Sequence, residues 1–182
     1  MAATRVRPRK TVEDYMRLPD DVRAELIDGE ILMSPSPLDR HQRIVFRLAR
    51  KLADFVEAGT LGEVFIAPFD VHLPTGDVVE PDIFFVSVSR LDIVKGWVRG
   101  VPDLIIEILS PTGLERDRFI KRDLYARNGV LEYWLVDTEA ESIEVLSLHA
   151  ECYEPAGYFT GSETIISAII PGLPLRARDV FP

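Results

Sequence analysis

Two carboxylates, Asp82 and Glu107, sit inside strongly apolar runs. These are Val79-Glu80-Pro81-Asp82-Ile83-Phe84-Phe85-Val86 and Pro102-Asp103-Leu104-Ile105-Ile106-Glu107-Ile108-Leu109-Ser110-Pro111. Apolar runs of this length, bounded by Pro and Gly, read as buried strands. A carboxylate buried there is costly unless a metal ion, a cation or hydrogen-bond donors compensate it. If the two strands are neighbours in one sheet, Asp82 and Glu107 can converge on one divalent ion. Mg²⁺ takes one or two protein carboxylates and leaves its other positions to water and substrate phosphate. Taken singly, Asp82 suits a turn cap after Pro81, and Glu107 an ion pair with an arginine. Together in adjacent strands they favour chemistry. Alternation puts Glu107 on one face with Asp103, Ile105 and Leu109. Pro81, which cannot donate to a ladder, favours a strand start at Asp82. Glu80 and Asp103 read as strand-entry charges.

Three further groups can join this pair. Glu25, in Arg23-Ala24-Glu25-Leu26-Ile27-Asp28-Gly29-Glu30, can support a metal through water; the alternative is an edge-strand charge facing solvent. Asp117, Lys121 and Tyr125 are spaced four apart and form one helical stripe beside Ile120 and Leu124. The apolar pair is expected to face the sheet, which puts Lys121 at the edge of the buried face, within reach of the strand carboxylates. A lysine there can orient or deprotonate a water, or neutralise charge on a phosphate. The competing reading is a surface Asp117–Lys121 pair worth about 0.3 kcal/mol. His41 stands near the start of a helix, where neutral imidazole is favoured. Tyr133 and Trp134 read as core aromatics.

The elements that must position these residues are legible in outline. Thr11-Val12-Glu13-Asp14 is a capping box opening a short helix that ends before Pro19. Residues 24–33 read as a hairpin turning at Asp28-Gly29. Asp39 opens an amphipathic helix with Ile44, Leu48, Leu52 and Phe55 on one face, and Arg40, Arg43, Arg47, Arg50 and Lys51 on the other. Strands follow at 62–66 and 69–73, then the two acidic runs, separated by a long loop over 87–100. A second helix spans 114–128, closed by Gly129. A hairpin over 131–148 and a Gly- and Pro-punctuated segment over 150–182, with short strand candidates and a last helical turn at 178–181, complete the chain. The expectation is a flexible tail over 1–10 and a single α/β domain of α+β character over 11–182, built on a mixed sheet.

The composition is that of an ordinary globular protein, 47% hydrophobic and 28% charged, with a formal net charge of -9. That charge disfavours indiscriminate coating of nucleic acid but permits a local basic groove. The single cysteine excludes an intramolecular disulfide and a cysteine-rich zinc site. The three histidines are far apart in sequence. No phosphate-binding loop, dinucleotide fingerprint, His-Glu-x-x-His or Gly-x-Ser-x-Gly motif is present, so no nucleotide cofactor is expected. With no membrane span and no apolar signal segment, a cytoplasmic location is expected.

Pro81-Asp82, Glu107-Ile108-Leu109-Ser110-Pro111-Thr112, Lys121 with Tyr125, and Glu132-Tyr133-Trp134-Leu135-Val136-Asp137 together resemble the large bacterial restriction-endonuclease family of the PD-(D/E)XK nuclease superfamily. Glu25 with Ile27-Asp28-Gly29-Glu30, and His41, are similar to that family's amino-terminal half. The resemblance implies a restriction-endonuclease-like core, a mixed central sheet flanked by helices. It also implies Mg²⁺ or Mn²⁺ held by Asp82, Glu107 and the Ile108 carbonyl, with Lys121, Glu25 and His41 at the site. The superfamily's usual lysine, two residues after the glutamate, is replaced by Leu109; in this family the following helix supplies it, where Lys121 stands. The activity expected is endonucleolytic hydrolysis of DNA through a metal-activated water. Backbone contacts are expected from Arg40, Arg43, Arg47, Arg116, Arg118 and Arg122, and a homodimer is expected for duplex cleavage. A nuclease-like dimer that only binds or regulates, and hydrolysis of RNA or a small phosphodiester, stay open as alternatives.

Overall fold

The computed structural model describes residues 8–19, 21–110 and 113–182. Residues 1–7 of the expected tail, and Pro111-Thr112 of the family motif, lie outside the described residues. Thr11 caps helix α1 (Val12–Tyr15) through reciprocal bonds with Asp14. Strands β1 (Ala24–Ile27) and β2 (Glu30–Met33) pair across Asp28-Gly29, both with positive φ as a tight two-residue hairpin requires. Arg9 and Lys10 donate to the carbonyls of Asp28 and Gly29, so contacts with this turn begin before Thr11.

Helix α2 (Asp39–Ala58) buries Ile44, Val45, Leu48, Leu52 and Val56, the stripe expected of its period. Then come β3 (Gly62–Ile66), β4 (Val71–His72), β5 (Val78–Val79) and β6 (Ile83–Ser87). A Cβ on Gly62 would lie 2.1 Å from the Val86 carbonyl oxygen, so β3 approaches β6 only because glycine stands there. The apolar run over 79–86 is divided between two strands in different sheets, β6 starting just past Pro81 as expected. Pro81 and its neighbours form the crossing between them, since proline cannot continue a ladder.

The expected loop over 87–100 instead holds a 3₁₀ turn (Val88–Ile93) and the hairpin strands β7 (Val94–Lys95) and β8 (Trp97–Arg99). Strand β9 (Leu104–Leu109) follows. The second helix is a π-helical segment (Arg116–Lys121) that runs into α3 (Arg122–Asn128) and stops at the left-handed Gly129. Strands β10 (Glu132–Asp137), β11 (Ser142–His149) and β12 (Cys152–Thr160) close the sequence of strands, and Ala177–Asp179 form a last 3₁₀ turn.

One sheet runs β12-β11-β10-β9-β6-β3, mixed because β9 and β10 are parallel while their neighbours are antiparallel. The other runs β2-β1-β5-β4-β8-β7. On one face of the first sheet, Ile106, Ile108 and Trp134 pack against α2 and the segment from Ile165 to Phe181. On its other face, Ile105, Leu109 and Tyr133 pack against α3 and the second sheet. Alternation along β9 therefore sends Glu107 toward the second face, where the two sheets and the π-helical segment meet. Among the described residues no helix is long and apolar enough to cross a membrane.

Candidate functional site

Antiparallel pairing of β6 with β9 sets Ile83 opposite Ile106, which brings Asp82 beside Glu107. Asp82 N–H points at Oε2 of Glu107 at 3.4 Å, and Ile108 N–H donates to Oδ2 of Asp82 at 2.8 Å. His41, from the first turn of α2, places Nε2 3.1 Å from the same Oδ2. Neither isolated reading of the two acids holds: Asp82 accepts from the neighbouring strand, and Glu107 pairs with a lysine rather than an arginine.

Lys121 is the hub. Its Nζ lies 2.8 Å from Oε1 of Glu25, 2.9 Å from Oε1 of Glu107 and 3.7 Å from Oδ1 of Asp117. Tyr125 OH also donates to Oε1 of Glu107, at 2.8 Å. The stripe of Asp117, Lys121 and Tyr125 is thus assembled as its spacing predicts, but its orientation differs. Phe119 and Ile120 are 62% and 43% exposed, whereas Lys121 is 4% exposed. The π-helical turn shifts the register, so the polar stripe points inward and Ile120 points out. The surface reading of the Asp117–Lys121 pair is overturned. So is the solvent-facing reading of Glu25: it is 2% exposed, accepts Glu80 N–H at 3.0 Å and lies 3.6 Å from Arg116.

These contacts set the charge states. Burial raises the Glu107 carboxyl to about 8, with Lys121 opposing and Asp82, Asp117 and Glu25 reinforcing the rise. Asp117 is raised too, by burial first. Burial works against the Lys121 ammonium, but Glu107, Glu25 and Asp117 outweigh it and hold its pKa well above the ordinary lysine range. Burial, with Glu107 and Glu25, keeps Tyr125 protonated as a donor.

A cavity of about 490 Å³ opens over this cluster. Among the described residues, no group of three or more His, Cys, Asp or Glu side chains is placed to hold a metal ion by itself. The donors present still fit a hard divalent ion. Oδ2 of Asp82 and Oε1 of Glu107 each carry two contacts, which leaves Oδ1 of Asp82 and the weakly engaged Oε2 of Glu107 for a ligand. Two carboxylates beside a backbone carbonyl, with water completing the shell, is the usual protein share of a Mg²⁺ or Mn²⁺ site. Among the described residues, five buried side-chain nitrogens lack a hydrogen-bond partner; three of them, Arg23 Nε, Arg40 Nε and His41 Nδ1, belong to residues lining this cavity.

Of the arginines expected to contact a nucleic-acid backbone, Arg40 and Arg116 line the cavity. Arg43 pairs with Asp39, Arg47 donates to the Phe181 carbonyl, Arg118 pairs with Asp137 and Glu144, and Arg122 donates to the Tyr153 carbonyl. Arg23 had no expected role and Glu80 was expected only as a strand-entry charge, yet the two pair at 3.3 Å on the cavity wall. Arg23, two residues before Glu25, was detectable by strand alternation, which puts both on one face. Leu109 occupies the superfamily's lysine position as a buried core residue, and the ammonium beside Glu107 comes from Lys121 instead.

Mixed sheets flanked by helices, with an acidic cavity at the end of the β6–β9 pair, define the class. The chain belongs to the Uma2 family, described as "Putative restriction endonuclease", which it matches over residues 12–178. It is similar to a crystal structure of "a putative nuclease belonging to DUF820 from Anabaena variabilis ATCC 29413", at 21% identity and a TM-score of 0.80. That match covers 94% of this chain and 97% of the other. The likeness shows a nuclease-like fold. No curated protein matches the chain significantly.

Proposed function

We propose that the chain is a divalent-metal-dependent phosphodiesterase that hydrolyses the DNA backbone at the cavity beside Asp82, Glu107 and Lys121. The observation that carries this reading is the juxtaposition of two carboxylates at adjacent strands, Asp82 with one uncommitted oxygen and Glu107 with one weakly engaged, under a buried ammonium. Asp82, Glu107 and the Ile108 carbonyl would hold Mg²⁺ or Mn²⁺. When bound, the ion polarises a phosphoryl oxygen and lowers the pKa of water.

The chain's own residues supply the rest. Lys121 stays a cation at neutral pH, which favours its charge-balancing role over that of a base, and it offsets the negative charge that grows on the phosphoryl group. Glu25 and Asp117 fix the ammonium. Tyr125 and Lys121 occupy Oε1 of Glu107, which leaves Oε2 as the oxygen a metal would take. His41 and Ile108 N–H hold the Asp82 carboxylate in place. Arg40 and Arg116 sit where a substrate phosphate would enter.

Incubation of the wild type with DNA and Mg²⁺ or Mn²⁺ is expected to give cleavage, with activity at least about 100-fold lower in Asp82→Ala. Equal activity in the two proteins would remove the assignment.

A further inference from the structure

We infer that the cavity takes a single strand, one unstacked nucleotide at a time, rather than an intact duplex; the inference rests on the nuclease reading above. Three observations carry it. First, the carboxylates line a space of about 490 Å³, the size of a small-molecule pocket, and Glu107 is 3% exposed. A phosphate on a duplex surface approaches with its base locked in the stack. A strand whose base can swing free enters such a pocket more readily.

Second, the wall formed by Pro35, Pro37 and Leu38 is apolar, and Leu38 is 73% exposed. The cavity thus combines an acidic region suited to a metal and a phosphate with an apolar surface suited to a base face. In a duplex that base face is covered by its neighbours; in a single strand it is available for stacking.

Third, the cations that line the cavity already have carboxylate partners. Arg23 pairs with Glu80, Arg40 with Glu141 at 2.7 Å, Arg116 with Glu25, and Lys121 with Glu25 and Glu107. Tight duplex binding depends on neutralising many phosphates along the helix. A chain of formal net charge -9 with paired cations at its cavity is poorly equipped for that. It is better equipped to bind a short stretch through one phosphate and one base. A single strand needs one site per cut, so this substrate does not require a second protomer.

The test uses circular single-stranded DNA, supercoiled plasmid and fully paired linear duplex, each with Mn²⁺. The single strand is expected to be cut at least about tenfold faster, the scale of one base contact; duplex cut as fast or faster overturns the inference. Fluorescence anisotropy of the Glu107→Gln protein with labelled single-stranded and duplex oligonucleotides in Mg²⁺ separates this from the nuclease reading. If no DNA is cut, the nuclease reading fails. Tighter binding of the single strand then still supports the inference, and equal, duplex-biased or absent binding overturns it. Leu38→Ala is expected to bring the ratio of single-strand to duplex binding toward one; an unchanged ratio overturns the role of the wall.

Discussion

Lys121 Nζ lies 2.9 Å from Oε1 of Glu107, so the ammonium of a helix and the carboxylate of a central strand share a buried contact. The π-helical turn that ends at Lys121 makes this contact possible by rotating a polar stripe into the core. The arrangement is costly in isolation, because ionisable groups are removed from water, and burial answers in part by raising the Glu107 carboxyl to about 8. Its geometry gives the ammonium a second carboxylate, Glu25, and gives Glu107 a second donor, Tyr125.

Removing the cation leaves Glu25 and Glu107 buried without their shared partner. Lys121→Ala is expected to destabilise the fold by about 3–5 kcal/mol at pH 8 in urea denaturation. The loss should be smaller at pH 5, where the Glu107 carboxyl holds its proton and needs no cation. A loss below about 1 kcal/mol at both pH values would contradict the central position of Lys121.

Tyr125→Phe removes one donor to Glu107 and little volume. Lys121 still satisfies Oε1, so stability is expected to change by about 1 kcal/mol or less. Turnover and Mn²⁺ affinity are expected to fall by roughly tenfold, with KM for DNA little changed, because the hydroxyl orients a metal-binding carboxylate. An unchanged Mn²⁺ affinity would show that Tyr125 serves packing alone.

The raised Glu107 carboxyl gives a pH signature. Its ordinary value is 4.5 and its folded, metal-free value about 8, so between these the folded state holds a proton that the unfolded chain has released. Stability of the metal-free protein should therefore fall as pH rises through that window. Glu107→Gln cannot titrate, and the melting temperature of wild type relative to this variant is expected to drop between pH 5 and pH 8. Added Mn²⁺ competes with the proton, so its stabilisation of the wild type should grow over the same range. Parallel pH profiles for the two proteins would contradict the assignment.

Far from the cavity, Glu132 is a buried carboxylate that accepts from Trp134 Nε1 at 2.7 Å, Ser167 Oγ at 2.6 Å and Ala168 N–H at 2.8 Å. It ties the carboxy-terminal segment to β10. Glu132→Ala strands those donors and is expected to cost about 3 kcal/mol in thermal or chemical denaturation. The Mn²⁺ affinity of the folded protein should be preserved, which separates this residue from the site.

Asp82 and Glu107 were legible because strand alternation and the Pro81 break act locally, and their burial inside apolar runs announced a compensating partner. The spacing of Asp117, Lys121 and Tyr125 was legible for the same reason. Lys121 was placed within reach of the strand carboxylates, and Leu124 faces the core as expected, but the depth of the stripe's burial and the outward turn of Ile120 were not legible, because a π-helical turn leaves no mark in an apolar period. Strand β12 was legible only as a short strand candidate of unset extent, because most of its side chains are exposed and burial did not impress alternation on it. The basic face of α2 looked free because its partners are distant in sequence: Arg47 meets the Phe181 carbonyl and Arg40 meets Glu141. The division of strands 79–86 between two sheets likewise depends on long-range pairing.

The central claim is that Asp82 and Glu107 share one divalent ion beneath Lys121, and calorimetric titration with Mn²⁺ tests it most directly. Wild type is expected to bind one ion per chain at this site, with affinity reduced at least about tenfold in both Asp82→Ala and Glu107→Ala. Binding that is absent in the wild type, or unchanged in either variant, would contradict the account.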